Sequence, residues 1–404
     1  MSPSAATGAK APESDVDPYA DDVVLDPYRA YGELRELGPV VRLTTHPVWA
    51  LPHHADVRAA ASDHRRFSSE PSVGLSDEMT PYHLNGVLTL DPPRHEVLRQ
   101  VLSDKMAPRA LGQFRADMAR RVDVLVTEAL ERGTLDAVTD LCARLPVDIV
   151  ADLIGLPAEG REVLLPGADA MFRTFGPVNA QLHERLPAIL GYMKYITAVS
   201  NRETLTPGSW GAAVLDAADD GRLPQDQVVP LMTAYLVAGM DTTVSSLSSY
   251  VHVLATRPDV WAELKEHPEL ISAGFEENLR LESPVQGFCR NTTGDVTIGD
   301  VTIPAGDRVL LLFGSANRDE RHYPDADEFI LTRNPVDHLA FGYGTHGCAG
   351  QALARMEARA LLESLLHRLD RLELAGTPVQ HLHPVVRGLE SLPITVTPTT
   401  RLVS

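Results

Sequence analysis

The sequence predicts a mainly α-helical protein with a minor β region, folded as a single domain. From Asp26 onward, apolar residues recur at three- and four-residue spacing, which is the pattern of helices that bury one face. Proline (30 residues) and glycine (28 residues) interrupt this pattern at short intervals, as many helices joined by tight loops require. The chain shows no internal repeat, low-complexity linker or shift of composition that would mark a boundary between domains.

The local patterns place both kinds of element along the chain. The clearest helical patterns run from Tyr28 to Leu37, from Ala110 to Arg132 and from Ala352 to Leu374. Trp49 to Pro52 is a short strand candidate. Val and Ile alternate from Asp295 to Ile303 around a Gly299-Asp300 turn, which predicts a β-hairpin, and we expect Val309 to Phe313 to extend its sheet.

The amino terminus differs in composition from the rest of the chain. Residues 1–17 are polar and rich in Ala, Pro and Ser, without the basic start and apolar run of a secretory signal. We expect them to form a disordered tail, followed by one domain over residues 18–404. The apolar run from Val228 to Val237 is interrupted by Pro230 and Thr233 and is followed by Asp241, so we expect no membrane span.

Charge and cysteine content narrow the possible classes of function. The formal net charge is −19 and no run of Lys or Arg occurs, which argues against a nucleic-acid partner. Cys142, Cys289 and Cys348 lie far apart without a CxxC pair, which argues against a disulfide framework or a structural zinc site. We therefore expect a protein of a reducing compartment, the cytoplasm.

The most informative segment is Phe341-Gly-Tyr-Gly-Thr-His-Gly-Cys-Ala-Gly350, which is followed directly by a helical run from Gln351. Glycines let a backbone approach a flat ligand, and a helix start directs N–H groups toward Cys348, which favours a thiolate. A thiolate suits a soft redox metal and pushes electron density onto heme iron, which promotes cleavage of an O–O bond. The alternative is a buried apolar cysteine in a glycine-rich turn.

This segment resembles the heme-binding signature of the cytochromes P450, with the phenylalanine, glycines, histidine and cysteine at their family positions. The resemblance extends from about Pro27 to Thr397, because three further family motifs occur in the right order. It implies the P450 fold, a triangular prism in which heme b (iron protoporphyrin IX) lies between the central helix and the helix after the cysteine loop. It also implies that Cys348 binds the iron and that Gly350 belongs to the cofactor site.

The first further motif is Ala238-Gly-Met-Asp-Thr-Thr243, inside a long apolar stretch. Alone, Asp241 could be a structural group, and Thr242 could bond back to a carbonyl one turn earlier. In the family, this pair lies in a local distortion of the central helix over the iron, where the small Ala238 and Gly239 leave room for dioxygen. The resemblance implies that Thr242 holds dioxygen and that Asp241 helps relay protons to its distal atom.

The second motif is Glu277-Asn-Leu-Arg280, an acid and a base one helical turn apart. Alone it would be an ordinary surface pair. With Arg333 it resembles the family's buried Glu-Arg-Arg network, so we expect a structural role around the heme loop.

The third motif is Asp91-Pro-Pro-Arg-His95, with Arg99 one helical turn further on. Alone, the histidine and the arginine would form a solvated basic face. In the family such a pair binds the two heme propionates, together with the counterparts of Arg290 and His346. Cations suit two carboxylates, and arginine supplies planar, bidentate donors.

Further stretches resemble a narrower bacterial branch that oxidises para-substituted benzoates such as 4-methoxybenzoate, often by O-demethylation. The matching stretches are Phe67-Ser-Ser, Val73-Gly-Leu-Ser76, Gly160-Arg-Glu-Val-Leu-Leu-Pro166, Phe175-Gly-Pro177, Glu282-Ser-Pro-Val-Gln286, Gly314-Ser-Ala-Asn-Arg-Asp319 and Arg387-Gly-Leu-Glu-Ser-Leu-Pro393. In that branch, the counterparts of Phe172, Phe175 and Phe288 form a narrow apolar slot around one ring; the alternative is ordinary core aromatics. The substrate residues that the resemblance implies are Asn85, Leu88, Phe172, Phe175, Val237, Ala238, Val285 and Phe288.

The sequence departs from this branch where the branch anchors a substrate carboxylate with an arginine, serines and further hydroxyls. The corresponding positions are Tyr82, His83 and Asn85 in a loop and Ala234 and Val237 on the central helix. A buried carboxylate without its donors is strongly disfavoured. A neutral or phenolic substrate is therefore credible, and a benzoate held by His83, Asn85 or Tyr235 stays open.

These motifs together predict a heme-thiolate monooxygenase that inserts one atom of O2 into a small aromatic substrate, by hydroxylation or O-demethylation of a para-substituted benzoate or phenol. We expect its electrons to come from an NAD(P)H-dependent reductase through a [2Fe–2S] ferredoxin, because the chain has neither a dinucleotide loop nor a cysteine cluster. One alternative is a peroxide-driven heme peroxygenase, against which Asp241 and Thr242 argue. Another is a heme-based binding or sensor protein that does not turn over.

Overall fold

Helices dominate the structure, a computed structural model that describes residues 11–399. The α-helices are α1 (Asp21–Leu25), α2 (Tyr28–Leu37), α3 (His54–Ser62), α4 (Thr80–His83), α5 (Arg94–Met106), α6 (Pro108–Leu111), α7 (Arg115–Arg132), α8 (Arg144–Ile154), α9 (Leu164–Arg173), α10 (Ala180–Val199), α11 (Trp210–Asp219), α12 (Val228–Thr256), α13 (Pro258–Glu266), α14 (Ile271–Glu282), α15 (Phe313–Ala316) and α16 (Gln351–Arg368). Short 3₁₀ turns cover Asp77–Met79, Gly112–Phe114, Arg161–Val163, Gln225–Gln227, Pro268–Leu270 and Gly344–His346, and a π-helical turn covers Val138–Cys142.

The β region is small, as the sequence predicts. Its strands are β1 (Glu13–Ser14), β2 (Val41–Leu43), β3 (Val48–Leu51), β4 (Phe67–Ser68), β5 (Thr134–Asp136), β6 (Gly287–Thr292), β7 (Val296–Ile298), β8 (Val301–Ile303), β9 (Arg308–Leu312), β10 (Leu369–Leu374), β11 (Val379–Gln380), β12 (Leu389–Ser391) and β13 (Pro393–Pro398). They form a six-stranded sheet in the order β1-β2-β3-β9-β6-β4, a three-stranded sheet β10-β13-β5, and the pairs β7-β8 and β11-β12. In the large sheet β9 is parallel to β3 and antiparallel to β6, with Leu310 opposite both Ala50 and Cys289.

Helix α12 forms the centre of the molecule. It is apolar on almost all sides, as a helix that is packed all round requires, and it contacts α8, α9 and α14 among other elements. Within residues 11–399, the stretch Gln225–Thr256 is long and apolar enough to cross a membrane. Of its 18-residue apolar segment, 61% is buried inside the protein. This burial is typical of a core helix.

Polar caps and a proline explain where several helices begin. Asn179 Oδ1 accepts a hydrogen bond of 3.0 Å from the N–H of Leu182 at the start of α10. Ser209 Oγ accepts one of 3.1 Å from Ala212 at the start of α11. Each bond satisfies a backbone donor that the first turn of a helix leaves free. Pro258 opens α13, where its missing N–H costs nothing.

Three expected elements have different bounds in the structure. The helix expected from Ala110 begins at Arg115, because α6 and a 3₁₀ turn occupy the residues before it. The helix expected to reach Leu374 ends at Arg368, and the rest is strand β10, which pairs with β13. Strand β9 does not extend the predicted hairpin: β7 and β8 pair only with each other, while β9 joins the large sheet. In the last two cases pairing with a strand that is distant in the chain overrides the local pattern.

The end of the segment expected to be a disordered tail is ordered in the structure. Strand β1, inside the range 1–17, pairs in parallel with β2. Arg42 N donates to Pro12 O and Thr44 N donates to Ser14 O, each over 2.9 Å. These bonds satisfy one edge of the large sheet, which orders the segment. Residues 1–10 lie outside the described residues.

Candidate active site

A cavity of about 840 Å³ lies between α12, α5, α9, β6 and the cysteine loop. Most of the side chains that the sequence places in a cofactor or substrate site line it. They are Leu88, His95, Arg99, Phe172, Phe175, Val237, Ala238, Thr242, Val285, Phe288, Arg290, His346, Cys348 and Gly350. Asn85 and Asp241 do not line the cavity. The structure thus brings together residues that are more than 250 positions apart in the chain.

The cysteine loop presents Cys348 to this cavity. Its backbone folds back on itself, because Cys348 N donates to Phe341 O over 2.8 Å. Gly344 has a φ of +69°, and a Cβ there would lie 2.7 Å from Ser62 Cα, so both the turn and the contact with the end of α3 require glycine. Helix α16 begins at Gln351, directly after the loop.

The protonation of Cys348 reflects two opposed effects. Burial raises the pKa of its thiol, and the backbone N–H groups of Gly350 and Gln351 and the charge of Arg99 lower it. The backbone donors favour the thiolate, as expected from the sequence, but burial outweighs them. A metal cation at the sulfur reverses this balance, because a coordinating thiol loses its proton.

Four cationic or titratable side chains line the cavity close to one another. The rings of His95 and His346 lie 4.5 Å apart between centroids. Neither nitrogen of His95 has a hydrogen-bond partner, although the side chain is buried, and His346 Nε2 has none within hydrogen-bond distance. Arg99 NH2 donates to Gly347 O over 2.6 Å, and Arg290 donates to Cys289 O over 2.8 Å.

Burial disfavours the charged forms of these groups and leaves both nitrogens of His95 without a partner in the protein. Burial lowers the pKa of His95 to about 4 and that of Arg290 to about 10. Buried donors without partners are disfavoured unless a ligand satisfies them. Carboxylates of a bound ligand would do so.

Thr242 and Asp241 face different surroundings. Thr242 lines the cavity, and its hydroxyl donates to Ala238 O over 2.8 Å. This is the bond to a carbonyl one turn earlier that the sequence indicates as a possibility. Its oxygen therefore keeps its lone pairs for a partner in the cavity. Asp241 is buried away from the cavity, and burial, followed by the nearby charge of Asp169, raises its pKa to about 7.

The expected distortion of the central helix is not present. Helix α12 is α-helical through Ala238 to Thr242 without a break. A Cβ at Gly239 would lie 3.1 Å from Val150 Cγ2, so this glycine is needed for close packing against α8.

Three phenylalanines line the cavity close to one another. Phe175 lies 5.5 Å from Phe288 in an edge-on arrangement and 6.4 Å from Phe172, between ring centroids. Such edge-on contacts are the favoured geometry of aromatic pairs. This apolar slot, defined by Phe172, Phe175 and Phe288, can hold a flat ring.

The polar residues expected to anchor a carboxylate are arranged differently. Asn85 is exposed and outside the cavity, in a left-handed conformation with φ +62°, so the structure does not bring it together with the other expected substrate residues. His83 is buried and stacked on Phe175 at 4.3 Å. Tyr235 lines the cavity, and its buried hydroxyl has no hydrogen-bond partner.

Both nitrogens of His83 already have partners. The hydroxyl of Thr174 donates to Met171 O over 2.6 Å, so it accepts the 2.8 Å bond from His83 Nε2. His83 Nδ1 in turn accepts from Ser72 Oγ over 2.8 Å. Burial lowers the pKa of His83 to about 4, so the ring is neutral at neutral pH. A neutral ring with both nitrogens occupied cannot anchor a carboxylate.

Comparison with known proteins agrees with this geometry. Residues 211–386 match the family described as Cytochrome P450. The chain is 38% identical over 395 residues to Cytochrome p450 CYP199A2 of Rhodopseudomonas palustris, covering 97% of this chain and 96% of that protein. The chain belongs to the cytochrome P450 family.

Two further comparisons extend this result. The P450 chain is 33% identical over 390 residues to the beta-dihydromenaquinone-9 omega-hydroxylase of Mycobacterium tuberculosis, covering 95% of this chain and 79% of that protein. The structure of epothilone D-bound Cytochrome P450epoK matches with a TM-score of 0.87 at 28% identity, covering 96% of this chain and 100% of that chain. The predicted fold, mainly α with a minor β region in a single P450 domain, is thereby confirmed.

P450 proteins bind heme b iron through a cysteine, and the residues present here fit that group. Cys348 lines the cavity, whereas Cys142 and Cys289 are buried outside it. The unpartnered His95 and His346 lie where cations and donors for two propionates are needed, together with Arg99 and Arg290. The donor set thus matches both the iron and the carboxylates of the cofactor.

Glu277, Arg280 and Arg333 form the expected contacts within this P450 fold. The carboxylate of Glu277 accepts from Arg280 Nε over 2.7 Å and from Arg333 Nε over 3.0 Å. Glu277 and Arg280 are fully buried. Arg280 also donates to the carbonyls of Asn317 and Ala326, which lie in the chain that leads to the cysteine loop.

A second ionic network was not predicted from the sequence. Glu276 accepts from Arg355 of α16 over 2.6 Å and contacts His338 at 3.0 Å. Burial opposes it, but Arg355 and His338 hold the pKa of Glu276 at about 2. The sequence contains one indication of this network, the consecutive acids Glu276 and Glu277 on one helix, because neighbouring helical side chains point in different directions and bind different partners.

Other buried titratable groups were also missed. Glu357 of α16 lines the cavity, has no hydrogen-bond partner for either carboxylate oxygen, and has its pKa raised to about 8 by burial. Asp169 and His383 lie close to Asp241. No local pattern in the sequence marks these residues, because Glu357 has no partner among the described residues and Asp169, Asp241 and His383 come from segments that are distant in the chain.

Proposed function

We propose that this P450 monooxygenase inserts one atom of O2 into a small aromatic substrate, by hydroxylation or O-demethylation of a para-substituted phenol or benzoate. The observation that carries the proposal is the slot of Phe172, Phe175 and Phe288 on the same cavity as Thr242 and Cys348. A flat apolar slot of this kind suits one aromatic ring.

Cys348 would hold the iron of heme b, and His95, Arg99, Arg290 and His346 would bind its propionates. When bound, this cofactor supplies the activation of dioxygen. The role of the protein is to orient substrate and deliver protons. Thr242 positions an oxygen in the cavity through its free lone pairs, since its own proton is directed to Ala238 O. Asp241 holds a proton at neutral pH, as its raised pKa permits, and supplies it to the Thr242 side.

The polar groups of the cavity favour a neutral substrate. Arg99 and Arg290, the arginines that line the cavity among the described residues, both lie close to His346 and serve the cofactor side. His83 is neutral and fully hydrogen-bonded, and Asn85 faces away. The hydroxyl of Tyr235 has no partner in the protein and can bond a phenolic or methoxy oxygen.

Bacterial P450 proteins take electrons from redox partners. We assign a [2Fe–2S] ferredoxin and an NAD(P)H-dependent reductase to this role in the cytoplasm, because the sequence contains no dinucleotide-binding loop or cysteine cluster. The exposed face of the cysteine loop carries a cation for such an acidic carrier: Arg58 NH2 donates to the hydroxyl of Tyr343 over 2.9 Å.

The proposal is tested by turnover with a surrogate ferredoxin and reductase. Phenols, guaiacols, cinnamates and benzoates are first screened by the shift of the Soret band, and those that bind are then assayed for NADH consumption and product. We expect at least one neutral para-substituted ring to be oxidised. Absence of NADH consumption with every binding ligand would support a sensor, and product formed only with added peroxide would support a peroxygenase.

The role of Thr242 is tested by Thr242→Ala. Because the hydroxyl acts after oxygen enters, we expect unchanged substrate binding but a loss of product per NADH of about tenfold or more, with release of peroxide. Thr256→Ala is the matched control, since Thr256 bonds its i−4 carbonyl, His252 O, over 2.7 Å on the same helix but outside the cavity. Equal coupling in Thr242→Ala and the control would remove Thr242 from the mechanism.

A further inference from the structure

Asp241 faces a cluster of polar groups on the side of α12 away from the cavity. Its Oδ2 atom is buried without a hydrogen-bond partner. Ligand atoms of Asp241, Asp169 of α9 and His383 of the β11–β12 loop lie within 4.8 Å of one another. The residue that we propose as the proton donor to the cavity therefore has titratable neighbours that do not line the cavity.

Asp169 links this cluster to the surface. Its Oδ1 lies 2.7 Å from His381 Nε2, and its Oδ2 accepts from Arg173 Nε over 3.0 Å. Arg185 of α10 approaches Oδ2 at 3.9 Å. The side chain of His381 is 22% exposed, whereas Asp241 is buried. Titratable groups thus lead from solvent through His381 to Asp169, and a carboxylate oxygen of Asp169 lies within 4.8 Å of one of Asp241.

The cluster is not suited to a metal ion. His383 Nδ1 accepts from the backbone N–H groups of Val385 and Val386, at 3.0 and 2.9 Å. The proton of the neutral ring is therefore on Nε2, which lies 3.1 Å from Asp169 O as a donor and has no lone pair for a metal. The charge of Asp169 is already balanced by Arg173.

The contacts of His381 also show which of its ring nitrogens carries the proton. His381 Nε2 lies between a carboxylate oxygen at 2.7 Å and Arg173 NH2 at 3.4 Å. The shorter contact with an acceptor requires that Nε2 carry a proton. Nδ1 of His381 is then the atom that takes a proton from water.

We propose that His381 and Asp169 form a proton inlet that supplies Asp241 from solvent. Water protonates His381 at Nδ1, and its Nε2 proton passes to Asp169 Oδ1. Asp169 passes a proton to the carboxylate of Asp241, which delivers it to the Thr242 side of α12. One proton moves from solvent to the cavity. Asp169 then returns to its starting state, whereas His381 is left with its proton on Nδ1 and regains the Nε2 tautomer by proton exchange with water before the next transfer. The inference rests on the proposed function, and neither His381 nor Asp169 touches the cavity, so both are positioning residues.

The charges around the inlet agree with this direction. Burial opposes it, but hydrogen bonds from His381 and Arg173 and the nearby His383 hold the pKa of Asp169 well below its usual range, so Asp169 returns each proton. Burial and then the charge of Asp169 raise the pKa of Asp241 to about 7, while His381 and Arg173 lower it. Burial lowers the pKa of His383 to about 3, so it stays a neutral donor.

The first test replaces the entry group by His381→Gln, which keeps an amide donor for Asp169 but cannot titrate. We expect substrate oxidation to fall about tenfold with a larger solvent isotope effect, and ligand binding and the carbon monoxide spectrum to stay unchanged. The control is His267→Gln, an exposed histidine that also contacts a carboxylate, Glu269, at 3.2 Å. Wild-type rates and isotope effect in His381→Gln would overturn the inlet.

The second test does not depend on turnover. The infrared band of the protonated Asp241 carboxyl, identified by its loss in Asp241→Asn, is titrated in the ferric protein. Asp169→Asn removes a neighbouring negative charge, so we expect the band to titrate at least about one pH unit lower. An unchanged titration would refute the contact between the two carboxyls. If the wild type oxidises no aromatic ligand, the proposed function fails, and a shifted band still supports the link between Asp169 and Asp241.

Discussion

The two sides of the cavity are built on different principles. On the cysteine side, Glu277 and Glu276 each bind two partners, and these bonds fix the chain before the loop and helix α16 itself. On the slot side, the wall consists of the phenylalanine rings and a histidine whose nitrogens are both occupied. The cysteine side thus holds positions through directional bonds, whereas we expect the slot side to select ligands by shape. The predictions below test this division, beginning with the largest expected effect.

The largest effect is expected at the sulfur. Cys348→His replaces the proposed thiolate ligand, so we expect complete loss of the carbon monoxide band typical of thiolate-bound heme. Cys142→Ala is the control, because Cys142 is buried outside the cavity, and it should keep the band. Survival of the band in Cys348→His would show that the ligand is another residue.

The next effect is expected in the buried network of the cysteine side. Glu277→Gln leaves Arg280 buried without its counter-ion, which typically costs about 3–5 kcal/mol of unfolding free energy. We expect this loss in chemical denaturation followed by fluorescence. Glu33→Gln breaks an exposed pair with Arg29, whose side chain is 91% exposed, and should cost less than about 0.5 kcal/mol. Similar losses in both variants would contradict the role of burial.

The cysteine side was also the side that the sequence predicted best. The chemistry there requires particular residue types at fixed local spacing, as in Phe341 to Gly350, and such patterns are visible in one sequence. The network of Glu276 was missed because its partners, His338 and Arg355, are 62 and 79 positions away. Similarly, Leu369 and Leu372 fit a helical period, and only pairing with β13 makes that segment a strand.

On the slot side, sequence reasoning identified the apolar residues but not the polar ones. Phe172, Phe175 and Phe288 could be named because a resemblance covered them, and all three line the cavity. Whether Asn85 faces inward depends on the conformation of its loop, which a pattern of residue types does not specify. The hydrogen bonds of His83 depend on Ser72 and Thr174, which lie in separate segments.

A smaller effect is expected for the charge of the ligand. The slot has no arginine of its own, and a carboxylate that loses two charge-assisted hydrogen bonds binds about a hundredfold more weakly or worse. We therefore expect 4-methoxyphenol to bind more tightly than 4-methoxybenzoate in Soret titrations at a pH where only the acid is ionised. Tight, high-spin binding of the benzoate alone would refute the neutral-substrate preference.

The smallest effect is expected from the protonation of His83. The informative result is that ligand affinity does not depend on pH. Burial lowers the pKa of His83 to about 4, so the ring is neutral above that pH. The neutral ring contributes to the free energy of unfolding above the pKa of His83 in the unfolded chain, and this contribution is lost as the pH falls toward 4. If His83 were a cationic anchor, affinity for 4-methoxybenzoate would rise up to about tenfold for each unit by which the pH falls toward the pKa of His83, because the protonated fraction rises by that factor.

We instead expect affinity for 4-methoxybenzoate to change less than about twofold between about pH 8 and about pH 5.5, where the acid stays ionised. His83→Gln identifies the source of any change that does occur, because other histidines such as His183 also line the cavity. A steep rise toward low pH in the wild type that disappears in His83→Gln would mean that the ring gives up its bonds to Ser72 and Thr174 to bind the ligand. The slot side would then select by charge as well as by shape, and the division between the two sides of the cavity would fail at this residue.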